Sequence, residues 1–105
     1  MGLKLFFKRI SNPHSFIFFH PRKEHLEVFY DELVNLDNRI YYEKDYKDYI
    51  NYILWYDDYS NNAILKFRDC LESMGFRVET KLYDHRHKEG IIFTIYLDNL
   101  WELNC

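Results

Sequence analysis

The residues best suited to metal chemistry lie in one short stretch, Asp84 to His87. His85 and His87 are one residue apart, so both imidazoles could face a single ion. A zinc site needs three or four ligands, and no further Cys or His lies nearby in the sequence to complete one. The stretch is therefore predicted to be a solvated turn, and we expect neither a bound metal nor a cofactor.

Cys70 is the candidate nucleophile of the chain. At helical spacing this residue borders an apolar stripe formed by Phe67, Leu71 and Met74, which predicts a buried, inert thiol. The chain contains no serine elbow, HExxH helix or paired CxxC motif. Its three glycines offer little for a backbone phosphate cradle. We therefore expect a protein that is not an enzyme.

Charge is distributed unevenly along the 105 residues, whose net charge is −3. Residues 1–25 carry five basic side chains against the single acid Glu24, whereas residues 26–63 carry nine acids against three basic side chains. The basic stretch, together with the aromatic run Phe16–Phe19, offers a weak nucleic-acid patch. The acidic block is rich in tyrosine, which disfavours nucleic acid there and favours a basic protein partner.

Length and composition describe the unit that holds these residues. A chain of 105 residues that is 48% hydrophobic and 30% charged is typical of one folded domain, and we assign residues 1–105 to it. The N-terminus lacks the apolar core of a secretory signal, and charged residues interrupt every apolar stretch that might span a bilayer. We expect a cytosolic protein with no membrane contact.

Two strands and a helix are predicted at the start of the chain. Residues alternate in polarity from Leu3 to Lys8, and Phe16–Phe19 lies between turn signals, so the two segments are predicted to pair as an N-terminal hairpin. A helix then follows Pro21, with its apolar residues at spacings of three and four, and ends at Asp37. Residues 39–43 are predicted to form a short strand or an extended connection.

Two more helices are predicted in the middle of the chain. The first covers Lys44 to Asp58, and the residues on its inward face are Tyr42, Tyr46, Tyr49, Ile50, Ile53 and Tyr56. The second covers Asn62 to Met74 and is followed by Gly75, which suits a left-handed C-cap.

The C-terminal part returns to a period of two. Phe76 to Leu82 and Ile91 to Leu97 alternate in polarity around a short polar loop, which predicts an antiparallel hairpin. The predicted fold is therefore α+β, an antiparallel sheet of four to five strands (the N-terminal hairpin and the C-terminal hairpin) with about three helices packed on one face.

The candidate binding residues lie on the outward face of the helix predicted over Lys44 to Asp58. Trp55 lies near the middle of that face, and such a tryptophan among acids is typical of a protein-binding surface. Alternatively, the C-terminal tail or the first hairpin covers Trp55. The candidate residues are Asp45, Asp48, Tyr52, Trp55, Asp57, Asp58 and Tyr59.

A small acidic domain with such a face resembles bacterial immunity proteins against toxin nucleases, and also phage-encoded inhibitors of host proteins. Its first residues, Met1-Gly-Leu-Lys-Leu5, are similar to the start of immunity proteins for ribosomal-RNA-cleaving colicins, although the match covers five of 105 residues. Those proteins are shorter and richer in sheet, so no residue role is carried over. The resemblance implies an antitoxin whose carboxylates occupy the places of nucleic-acid phosphates in a basic toxin or host enzyme.

Two other classes of function remain open. The aromatic face could serve self-association, in which case the protein is a structural or interaction protein that forms a homodimer or a larger homo-oligomer. Alternatively, the basic N-terminal hairpin could bind nucleic acid, and that binding would weaken steeply with salt.

Overall fold

The computed structural model describes residues 16–100. These residues form two helices and three strands in an α+β arrangement. In chain order the elements are α1 (Lys23–Glu43), β1 (Tyr49–Trp55), α2 (Asn61–Ser73), β2 (Val78–His85) and β3 (Lys88–Tyr96).

The predicted sheet of four to five strands with three helices was wrong. The described residues contain one three-stranded antiparallel sheet in the order β1-β3-β2, so β3 is the central strand. Phe16–Phe19 is not a strand, although Phe16, Phe18 and Phe19 are buried. The strand predicted over Leu3 to Lys8, and with it the rest of the N-terminal hairpin, lies outside the described residues.

The segment predicted as the second helix is instead β1. Its sequence, Tyr-Ile-Asn-Tyr-Ile-Leu-Trp, consists almost wholly of aromatic and branched aliphatic residues, which favour strands. Burial alternates along it, since Ile50, Tyr52 and Leu54 point toward the helices and the residues between them point away. Antiparallel pairing with β3 brings Tyr52 opposite Phe93.

Helix α1 continues through residues 39–43, which had been predicted as extended. Ile40 is fully buried and extends the apolar stripe of Leu33 and Leu36 by one turn. Asp37 does not end the helix, because its carboxylate is buried and accepts hydrogen bonds from the backbone N–H groups of Ile17 and Phe18, both at 3.2 Å. These bonds attach residues 16–19 to the middle of α1.

The later elements confirm the predicted helix and hairpin. The Ser60 hydroxyl caps α2 by accepting the N–H of Ala63 at 3.2 Å, and Gly75 follows the helix with a φ of 97°. Strands β2 and β3 join through a two-residue loop, Arg86-His87, in which both φ angles are positive. That combination is typical of a type I′ turn.

Both helices pack on the same face of the sheet. Phe67 of α2 lies at the centre of the core, with its ring centroid 5.1 Å from Phe29 of α1, 5.3 Å from Phe93 of β3 and 6.0 Å from Tyr52 of β1. Within residues 16–100 no element covers the opposite face, which we call the outer sheet face. In the same part of the chain, neither helix has the length and apolar character needed to cross a bilayer.

Candidate protein-binding surface

The predicted binding residues do not share one face, because the helix that grouped them is a strand. Asp45 and Asp48 precede β1, whereas Asp57 and Asp58 follow it. All four are exposed. A seven-residue strand is roughly 23 Å long, so the two acidic pairs lie at opposite ends of the sheet.

Tyr52 and Tyr59 belong to the interior side of the sheet. The Tyr52 hydroxyl donates to the Glu32 carboxylate of α1, and the Tyr59 hydroxyl donates to the other oxygen of that carboxylate at 3.2 Å. Burial, with the adjacent Glu32 carboxylate, raises the pKa of Tyr52 above its ordinary value and raises the pKa of Tyr59 to about 12. Both phenols are therefore neutral donors at physiological pH, and their role is to join the β1 region to α1.

Trp55 lies on the outer sheet face, half-buried between side chains of β2 and β3. Its ring centroid is 5.7 Å from that of Tyr83, and the Lys88 ammonium lies 5.3 Å from the centre of the indole ring. Gly90 stands between Trp55 and Tyr83 in the cross-strand register. A Cβ there would clash with the backbone carbonyl oxygen of Leu54, which explains the glycine.

Three exposed aromatic residues of the middle block are tyrosines that were predicted to lie in the core. Tyr42 is 73% exposed, Tyr46 86% and Tyr49 47%, although all three were predicted to face inward from a helix. They lie at the end of α1, in the following turn and at the start of β1. We call these three residues, with Asp45 and Asp48, the tyrosine patch.

Ion pairs surround the tyrosine patch. The Glu43 carboxylate accepts from Arg39 at 2.9 Å and lies 3.0 Å from the Lys47 ammonium, and these two cations hold the pKa of Glu43 below its usual range. Asp45 pairs with Lys44 at 3.1 Å. In the described residues, Asp48 has no cation within ion-pair distance, so its charge is available to a partner.

An open cleft of about 680 Å³ lies at the opposite end of the sheet. Asp57 is the only predicted binding residue that lines it, and its other walls are Tyr56, Asp84, Arg86, His87 and Glu89. The two histidines considered for metal binding are separated, since His85 stacks on Tyr83 and His87 faces the cleft. Among residues 16–100 no group of three potential ligands is placed to hold a metal ion.

The thiol of Cys70 has the burial that the sequence predicted. It is fully buried on α2, and desolvation raises its pKa to about 12. A thiol in this state is a poor nucleophile.

Comparison with protein-family models, with curated proteins and with solved structures finds no match to this chain.

Proposed function

We propose that the protein is a small acidic inhibitor that binds a basic protein, of the immunity-protein kind, and that the tyrosine patch is its contact surface. The observation that carries this proposal is the exposure of Tyr42 and Tyr46, at 73% and 86%, in a segment that also contains the exposed carboxylates of Asp45 and Asp48. Tyrosines with such exposure leave large ring surfaces in water that a partner can cover.

The chemistry of tyrosine supports this role. A tyrosine ring offers a large contact area with few rotatable bonds, so ordering it on binding costs little entropy. Tyrosine is correspondingly enriched in protein interfaces, and its hydroxyl can hydrogen-bond at the rim. Three such rings within eight residues supply the anchors that a compact interface requires.

The charges indicate the kind of partner. Asp48 and the more distant Asp57 and Asp58 lie in the block of residues 26–63, which carries nine acids against three basic side chains. Around the patch itself Arg39, Lys44 and Lys47 balance Glu43, Asp45 and Asp48, so the excess of acids lies elsewhere in the block. The negative field of the block speeds association with a basic protein and disfavours an acidic one. A nuclease has a basic substrate surface, and carboxylates placed there would exclude the phosphates of its substrate. The partner is then a cytosolic toxin or host enzyme, and this chain itself catalyses nothing.

Capture from the native host tests the proposal. A tagged chain is compared with a patch variant, Tyr42→Ala with Tyr46→Ala and Asp48→Asn, and with a matched control at the other end of the sheet, Asp57→Asn with Asp58→Asn. We expect a single basic protein, identified by mass spectrometry, to be retained by the tagged chain and by the control but not by the patch variant. Loss of two anchor tyrosines should weaken binding about 100-fold or more.

Further readouts separate the parts of the proposal. Addition of the tagged chain should inhibit the activity of the captured protein, and the patch variant should not. Circular dichroism should show the same fold for all three chains. Retention by the patch variant with loss by the control would place the interface at the cleft instead. Capture of no basic protein would contradict the inhibitor proposal itself.

The outer sheet face supports a second candidate, a platform for single-stranded nucleic acid. It carries the rings of Trp55, Tyr83 and Tyr96 together with the cations Lys81 and Lys88. Rings beside cations are the elements of such platforms. Fluorescence anisotropy with a labelled single-stranded RNA tests it, since binding that weakens steeply with salt and is lost in the Trp55→Ala variant would favour this function over inhibition.

A further inference from the structure

Strand β2 is an edge of the sheet among the described residues. The strand order β1-β3-β2 gives β2 one neighbour, and its eight residues contain no proline. The opposite edge, β1, is partly closed, because the Arg39 guanidinium donates to the backbone carbonyl of Asn51. Edges that are left open invite pairing with another strand, and natural proteins usually protect them.

The register shows which backbone groups of β2 point outward. The N–H of Tyr96 donates to the carbonyl of Arg77, just before β2, at 3.0 Å, so the residues of β2 that bond to β3 are 79, 81, 83 and 85. The N–H and C=O groups of Val78, Thr80 and Leu82 therefore point away from β3. They form a row of donors and acceptors along the edge.

We propose that β2 pairs antiparallel with the β2 strand of a second copy of this chain, with a twofold axis at Thr80. Thr80 then lies opposite the partner's Thr80, Val78 opposite the partner's Leu82, and Glu79 opposite the partner's Lys81. The three opposed pairs at Val78, Thr80 and Leu82 exchange two hydrogen bonds each, and the two sheets become one continuous sheet.

The side chains fit this register on both faces. On the helix side, Leu82 is 62% exposed in the single chain and would be covered by the partner's Val78. On the outer sheet face, Glu79 and Lys81 form two symmetric ion pairs with the second copy. Such cross-strand pairs are stabilising, whereas like charges opposite one another are destabilising.

Neighbouring registers are excluded by charge. Sliding the strands by two residues in one direction brings Lys81 opposite the partner's Lys81, and sliding in the other direction brings Glu79 opposite the partner's Glu79. A slide by one residue misaligns the outward hydrogen-bonding groups and exchanges the two faces. Among these registers, the proposed one pairs unlike charges and leaves Val78 opposite Leu82.

The apolar surface continues from the edge onto α2. Leu65 is 51% exposed and lines a groove of about 60 Å³ together with Thr80 and Ile91. Thr80 lies on the proposed axis, so this groove borders the interface from each copy. The tyrosine patch lies around β1, at the other edge of the sheet, and the dimer would leave it free in both copies.

Charge reversal tests the register directly. Sedimentation equilibrium over a wide range of concentration should give the mass of two chains for the unmodified protein. The Glu79→Lys variant has lysine at both positions 79 and 81, and the Lys81→Glu variant has glutamate at both. Each should dimerise at least about tenfold more weakly, because both symmetric pairs become repulsive. An equimolar mixture of the two variants should form a mixed dimer, since every opposed pair is then attractive again.

A backbone substitution provides an independent readout. Thr80→Pro removes an outward N–H and should abolish the dimer, whereas Thr80→Ala keeps that N–H and should dimerise like the unmodified chain. Circular dichroism confirms that each variant is folded. A monomeric unmodified protein at every concentration would overturn the proposal, and so would single charge variants that dimerise normally or a mixture that stays monomeric.

Discussion

One buried carboxylate binds the backbone of Ile17 and Phe18 to α1, and its removal makes a quantitative test of the fold. Asp37 is 5% exposed and accepts the N–H groups of Ile17 and Phe18. In the Asp37→Asn variant the side chain keeps its shape, but one of its two terminal groups becomes a donor. One backbone N–H then faces another donor, and the acceptor of the remaining hydrogen bond is a neutral amide oxygen instead of a carboxylate.

The expected cost follows from the two bonds. A hydrogen bond to a charged group contributes about 1.5–3 kcal/mol, and a neutral bond about 1 kcal/mol. Losing one charged bond and weakening the other should reduce the free energy of unfolding by about 3 kcal/mol. For a domain of this size that corresponds to a fall in Tm of roughly 12–24 °C.

Urea unfolding followed by circular dichroism measures the change. The matched control is Glu27→Gln, which removes the same charge from an exposed position of the same helix and should alter the free energy of unfolding by less than about 0.5 kcal/mol. Amide hydrogen exchange adds a local readout, because the Ile17 and Phe18 amides should be protected only when Asp37 is present. A variant as stable as the control, with both amides still protected, would show that the Asp37 carboxylate does not hold this segment.

Three further predictions concern the sheet. Folding raises the pKa of the Tyr52 phenol, so above pH 10 the phenol ionises in the unfolded chain but stays neutral in the folded protein, and stability falls. Tyr52→Phe should therefore reduce the loss of stability between about pH 10 and 12. Gly90→Ala should lower the free energy of unfolding by about 3 kcal/mol, because its Cβ meets the Leu54 carbonyl. The double variant Arg86→Asn with His87→Gly should raise the free energy of unfolding by about 1 kcal/mol, because asparagine and glycine adopt positive φ more readily than arginine and histidine.

Each of these predictions has a measurement that can contradict it. Denaturant unfolding at a series of pH values tests the first, and an unchanged alkaline slope in the phenylalanine variant would count against the assigned pKa. For the glycine, Thr94→Ala on the same strand is the control, and it should cost less than about 1 kcal/mol. For the turn, an unchanged or lower Tm would show that the native residues make compensating contacts.

How far the sequence could predict the fold is clearest at β1. Lys44 to Asp58 was interpreted as a helix because its tyrosines and isoleucines also fit a period near 3.6. The stronger signal was residue type, since Tyr49–Trp55 is nearly all aromatic and branched aliphatic and is preceded by Asp48. By contrast, α2 and the β2–β3 hairpin carried local signals that agree with their tertiary environment, namely Ser60, Gly75 and strict alternation.

The error at β1 also decided what could be predicted of the site. The helical interpretation placed Tyr42 and Tyr46 inward and Tyr52 outward. In the structure Tyr42 ends α1 and Tyr46 lies in the turn before β1, both exposed, whereas Tyr52 is buried in the strand. The acidic and aromatic composition of the block could be predicted because it does not depend on geometry. The separation of its acids to the two ends of β1 could not be predicted. That separation depends on a strand whose partner, β3, lies more than thirty residues further along the chain.

Substitutions at the two ends of the sheet differ in whether a loss of binding can be separated from a loss of stability. Trp55 is held by Tyr83 and Lys88 over Gly90, so its replacement by alanine removes packing from the β2–β3 hairpin and lowers stability together with any binding. Tyr46 is 86% exposed and has little packing to lose, so its replacement changes the surface and leaves the core intact. A loss of capture in a Tyr46 variant therefore reports on the interface, whereas the same loss in a Trp55 variant has to be corrected for unfolding first.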